Sequence, residues 1–180
     1  MKLLRRFVWY IASRLLLLTL ILSLMVTTFY YAMNGANIYI VLKDGMAQRA
    51  QYIMEITDDS SVLTKYFMNT FLDRDEATLL TRQGNSPYRY YDMVGIDHRL
   101  SLTWVWCWPW ETTARADFIE KIPKMDGKAG STYREGLLLA GGEEALNPPQ
   151  WRNAKYRAIL VKENGQWKVQ SLTLLQYLDE

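Results

Sequence analysis

The chain has 180 residues, 49% of them hydrophobic and 22% charged, with a formal net charge of +2. Four of its 21 basic residues, Lys2, Arg5, Arg6 and Arg14, precede an uncharged apolar run, which leaves 17 bases against 19 acids in the remainder. That balance excludes the clustered positive face of a direct nucleic-acid binder, and one His with one Cys excludes both an internal disulfide and an ordinary nitrogen and sulfur metal shell.

The apolar run is Leu15–Met33. At about 1.5 Å per residue it is long enough to cross a hydrocarbon core of roughly 30 Å. The four leading cations predict a cytoplasmic N-terminus and an extracytoplasmic C-terminus. Arg14 sits at the near boundary, where it can snorkel to headgroups, and Tyr30 and Tyr31 mark the far interface. FYYAMNGA offers no clean A-x-A cleavage site, so the segment reads as an uncleaved anchor. The expected organisation is a basic cytoplasmic leader over 1–14, a transmembrane helix over 15–33, an amphipathic connector over 34–57 and one extracytoplasmic domain over 58–180. A disulfide-free outer domain fits a bacterial cell membrane better than a eukaryotic secretory route.

Asn34–Ala36 reads as a short polar break. Beyond it Ile38, Val41, Leu42, Met46, Ile53 and Ile56 recur at helical spacing, which predicts an amphipathic helix to about Ile56, either separate from the anchor or continuous with it. Asp58-Asp59-Ser60 is a helix start, and Val62, Leu63, Tyr66, Phe67, Phe71 and Leu72 form the apolar stripe of a second helix. Asp73–Glu76 ends or bends it, a further helical turn or two follows over Ala77–Gln83, and Gly84–Pro87 stops helix.

From Tyr88 the period changes to two. Tyr88–Val94 is a predicted strand, Gly95–His98 a turn and Leu100–Trp108 the next strand. In Thr112–Ile122, Ala114, Ala116, Phe118 and Ile122 share one face. Pro123–Gln150 reads as irregular, with a short apolar element at Leu137–Ala140. Lys155–Glu163 and Gln166–Leu174 flank Asn164-Gly165, which suits a two-residue type I′ turn. Together these elements predict an α+β class, with helices on a curved antiparallel sheet behind the anchor.

Trp104, Trp106, Trp108 and Trp110 occupy every second position, so at least three indoles share a side. Three roles suit them: filling the concave face of the sheet, forming a partner-binding face, or lining an apolar pocket or membrane-facing rim.

The segment KYRAILVKENGQWKVQSLTLL resembles the closing hairpin of nuclear-transport-factor-two-like domains, and the element order over about Ile38–Leu178 is similar to theirs. A single N-terminal anchor with one outer cone-shaped domain is similar to the bitopic assembly subunits of type IV secretion and conjugation machines. Their Asn-Pro motif has no counterpart at the expected place, because Asn147-Pro148 precedes the final hairpin. The resemblance implies a non-enzymatic subunit that binds copies of itself and other membrane subunits, without a cofactor.

The same cone hosts isomerases and dehydratases, so the alternative is an apolar-ligand binder or such an enzyme. Asp92 and Asp117 with Tyr90, Tyr91 and Tyr133 are its candidate pocket residues. His98, beside Asp97 in a predicted turn, is expected to be solvated. Cys107 lacks a nearby base and is expected to be a small core residue.

Overall fold

In the computed structural model, which describes residues 2–178, a single helix α1 spans Lys2–Ile53. It runs without interruption through the expected break at Asn34–Ala36. Packing accounts for the difference: Asn34 is buried, and Gly35 faces Val105 closely enough that an added Cβ would meet Val105 Cγ1 at 3.9 Å. A neighbour on that face holds the turn helical despite two weak helix formers.

The two halves of α1 have different surroundings. Residues 5–30 are exposed except for Thr27, and none of the most apolar stretch is buried within the chain. From Asn34 onward one stripe is buried, made of Asn34, Ile38, Leu42, Met46, Arg49 and Ile53 at spacings of three or four. Ile38, Leu42 and Met46 belong to the same core as the sheet residues Phe118, Leu160 and Val169. Each such side chain contributes about 1.5–3 kcal/mol on burial. The segment 34–57 is thus packed into the domain and does not stand apart as a connector.

The helix ends at Ile53, three residues before the expected Ile56. Glu55 takes φ 56°, Ile56 N–H donates to Gln51 C=O and Glu55 N–H donates to Tyr52 C=O. This is the paired closure in which glycine normally supplies the left-handed residue. Here a glutamate does so, at a cost of about 1 kcal/mol.

The expected second helix is broken into pieces. A 3-10 helix covers Ser60–Lys65, with the Asp59 carboxylate accepting from Ser61 N–H at 2.9 Å. Helix α2 (Asn69–Leu72) follows, and α3 covers Glu76–Arg82. The break has a tertiary cause: Phe67 bridges to Val169, with Met68 N–H donating to Val169 C=O and Val169 N–H to Tyr66 C=O. Backbone engaged with a strand cannot also propagate a helix.

Four antiparallel strands form one sheet in the order β1 (Tyr91–Cys107), β2 (Thr113–Ala129), β3 (Ala154–Glu163) and β4 (Gln166–Tyr177). The predicted turn at Gly95–His98 does not occur; β1 is continuous. Its pairing with β2 shifts register at Met93/Gly95, Asp97/Arg99 and Leu102/Trp104. Such bulges reset the alternation, which disguises one long strand as two short ones. Strand β2 likewise passes Pro123 into the region expected to be irregular. Pro123 lies beyond Glu120↔Ala154, the last β2–β3 pair, so its missing N–H breaks no ladder there. The remainder of that region holds α4 (Arg134–Gly141), which contains the expected Leu137–Ala140 element, and a 3-10 helix at Gly142–Leu146. The final hairpin matches the expectation, with Asn164 at φ 50° and Gly165 at φ 82°.

Gly45 sits where α1 crosses the chain before α2: a Cβ there would lie 2.9 Å from Tyr66 Cβ. Gly45→Ala gains about 1 kcal/mol of helix propensity and meets overpacking of about 1–3 kcal/mol. We expect a net loss of stability, read as a lower denaturation midpoint. A rise would show that the crossing relaxes freely.

Candidate functional site

The Trp ladder lies on the outer face of the sheet. Val105 and Cys107, the alternate residues, turn toward α1: Tyr31 Oη donates to Val105 C=O at 2.9 Å, Cys107 is buried, and its Sγ lies 3.9 Å from Tyr31 C=O. The indoles therefore point away from the helix. Trp104, Trp106 and Trp110 are 46%, 50% and 69% exposed, so of the three roles that suit them they do not fill the face packed on α1. Trp106 stacks on Trp108 at 5.8 Å, and Trp108 meets Trp110 edge to face at 5.1 Å. The aromatics form one continuous surface.

That surface extends across the sheet in register. Trp104 is opposite Asp117, which is opposite Arg157, and Trp106 is opposite Arg115, which is opposite Ile159. Residues directly opposed in an antiparallel sheet share a face. Asp117 and Arg157 form a bidentate pair with both contacts at 2.7 Å. The hydrogen bond from Arg157 holds the Asp117 carboxyl below its ordinary range. The Arg157 side chain is 42% exposed, so solvent screens the pair and it adds little to stability.

The interior holds a polar set, one member of which, His98, is expected in solvent. His98 does not lie in a solvated turn. It points inward from β1, with Nε2 3.0 Å from Glu120 Oε1 and side chains 5% and 0% exposed. Its neighbour Asp97 points outward and pairs with Arg99. Among the described residues, Glu120 Oε2 has no hydrogen-bond partner. Nearby in charge terms are Arg49, which grips Asp75 at 2.7 and 2.9 Å, and Tyr156, whose hydroxyl is pushed up to about 12 mainly by burial. Both missed residues had a signal. Glu120 falls on the same alternating face as Phe118 and Ile122, and Arg49 continues the helical stripe from Met46. A lone charge on an otherwise apolar face is either paired or functional.

Of the expected pocket residues, Tyr90, Asp92 and Tyr133 meet around Gly130, but on the exposed surface and apart from Asp117. Asp92 is exposed, and Asp117 lies on the outer face with the indoles. Tyr90 and Tyr133 pack edge to face at 5.0 Å, while Tyr91 donates to Ala145 C=O. Cys107 is indeed a small core residue, and burial pushes its thiol up, away from the reactive thiolate. At the N-terminal end Arg5, Arg6, Arg14 and Leu15 all lie on the exposed half of α1. Tyr30 is exposed and Tyr31 packs against the core.

Compared with known family models, curated proteins and solved structures, the chain matches none.

Proposed function

We propose that the chain is a membrane-anchored, non-enzymatic assembly subunit of a bacterial envelope machine, of the kind that serves conjugation or type IV secretion. In this reading α1 is a single-pass anchor with its N-terminus in the cytoplasm, and the α+β domain is extracytoplasmic. The continuous helix supports an uncleaved anchor, because cleavage near Ala32–Gly35 would cut α1 inside the stretch that packs on β1. Likeness to cone-shaped nuclear-transport-factor-two-like domains belongs to the same reading. It draws on helices that precede an antiparallel sheet closed by the Asn164-Gly165 hairpin.

The observation that carries the proposal is the uncovered aromatic face. Trp104 and Trp106, flanked by Arg115 and the Asp117–Arg157 pair, join large apolar area to charged groups on one side of a sheet. Exposed aromatic patches with polar rims mark interaction surfaces, and Trp and Arg dominate interface energetics. The partners are copies of this chain and other membrane subunits.

The test is in-cell crosslinking with mass spectrometry on native membranes, comparing wild type with Trp104→Ala plus Trp106→Ala. Links to itself and to other membrane proteins are expected in wild type and lost in the variant at equal cellular level. A wild-type chain that crosslinks to nothing would sink the proposal.

A further inference from the structure

Strand β1 runs back along α1 toward its apolar half. Its beginning lies near the helix end: Met93 and Ile96 pack in one cluster with Ala50 and Ile53. Its end lies far up the helix, where Val105 and Cys107 meet Tyr31 and Gly35. The connection from β1 to β2, residues 108–112, continues past Tyr31 in the same direction. The chain reverses across Trp108–Glu111, where Glu111 N–H donates to Trp108 C=O, so the tip stands only about two residues, roughly 7 Å at most, beyond Cys107. That brings the tip level with the last turn or two of the apolar run. Thr27, one turn before Tyr31 on the same helix face, is the one partly covered residue in an otherwise exposed stretch.

We infer that the β1–β2 tip, with Trp108, Pro109 and Trp110, is a second membrane contact that sits in the headgroup region of the bilayer α1 crosses. The inference rests on reading α1 as an anchor. Indoles favour this depth because their rings are apolar while their N–H groups can still reach polar partners. Trp110 is 69% exposed at the tip, and Tyr31 meets the strand at Val105, a few residues short of it. Arg115, opposite Trp106, is an exposed cation on the same hairpin that can reach lipid phosphates. Two contacts, helix and hairpin, fix the tilt of the domain and hold the Trp104–Trp106 face at a set angle above the membrane. A single helix would leave that angle free.

The experiment uses the full chain in vesicles of phosphatidylcholine with phosphatidylglycerol, in a Cys107→Ala background. Nitroxide labels are placed singly at Leu20→Cys, Glu111→Cys and Val94→Cys, and their depth is read by oxygen and nickel accessibility. We expect Leu20 in hydrocarbon, Glu111 at headgroup depth and Val94 in water. Glu111 as water-accessible as Val94, with Leu20 in hydrocarbon, overturns the hairpin contact and leaves the anchor intact. A Glu111 label shielded from both reagents points to a protein neighbour and also overturns it. Leu20 in water overturns the anchor and the contact together. If Cys107→Ala does not fold, brominated phosphatidylcholine reads the native residues. A Trp9→Phe chain is expected to lose most of its bromine quenching when Trp108 and Trp110 also become Phe. Unchanged quenching counts against the contact.

Discussion

Replacing Asp75 with Ala is expected to lower the unfolding free energy of the domain by about 3–5 kcal/mol. Arg49 lies on the buried stripe of α1 and holds Asp75 through two hydrogen bonds of 2.7 and 2.9 Å, with side chains 9% and 11% exposed. Burial alone pulls the Arg49 guanidinium toward neutrality, yet the charge and hydrogen bonds of Asp75 outweigh it and its pKa is raised. Without Asp75 the cost of burial remains and the compensation is gone. Replacing both residues, as Arg49→Met with Asp75→Leu, should recover most of the loss, since a well-packed apolar pair is often as stable as the ion pair it replaces. Denaturant titration of the full chain in micelles, followed by intrinsic fluorescence, distinguishes the cases. If Asp75→Ala costs less than about 1 kcal/mol, the pair behaves like a solvated surface bridge.

The second large effect concerns His98 and Glu120. The two side chains meet at 3.0 Å with almost no exposure, and the second Glu120 oxygen has no partner among the described residues. Either single change, His98→Leu or Glu120→Met, strands a buried polar group and is expected to cost about 1–3 kcal/mol. The double variant should cost well under the sum, with a coupling of about 1 kcal/mol or more in a double-mutant cycle. Additive losses would mean that the contact carries no energy of its own. The cycle also bears on function. In an assembly subunit the apolar double variant should keep its crosslinks, whereas a catalytic His–carboxylate pair would not tolerate the exchange.

How legible these features were depended on how local their causes are. The final hairpin was readable because Asn164-Gly165 supplies both left-handed residues of the turn within two positions. The helix stripe Ile38–Leu42–Met46 was readable because burial repeats with the helical period. Strand β1 looks locally like two strands with a turn between them, because its register shifts break the alternation at Met93/Gly95 and Asp97/Arg99. The same shifts hide the inward direction of His98. The break in the second helix is hidden because Phe67 looks helical locally but pairs with Val169, about a hundred residues away.

The long uncharged apolar run behind a basic leader, the α+β class and the closing hairpin are legible along the chain. These follow from hydrophobic period and turn chemistry, which act over a few residues. Packing between distant elements settles which way the Asn34–Ala36 turn goes, brings Glu120 and His98 together inside and leaves the tryptophans facing outward. Period two shows that indoles share a side, but the choice of side depends on where α1 docks. Tyr31, Gly35 and the stripe from Ile38 dock on the Val105–Cys107 side of β1, and the Trp face is the one left uncovered.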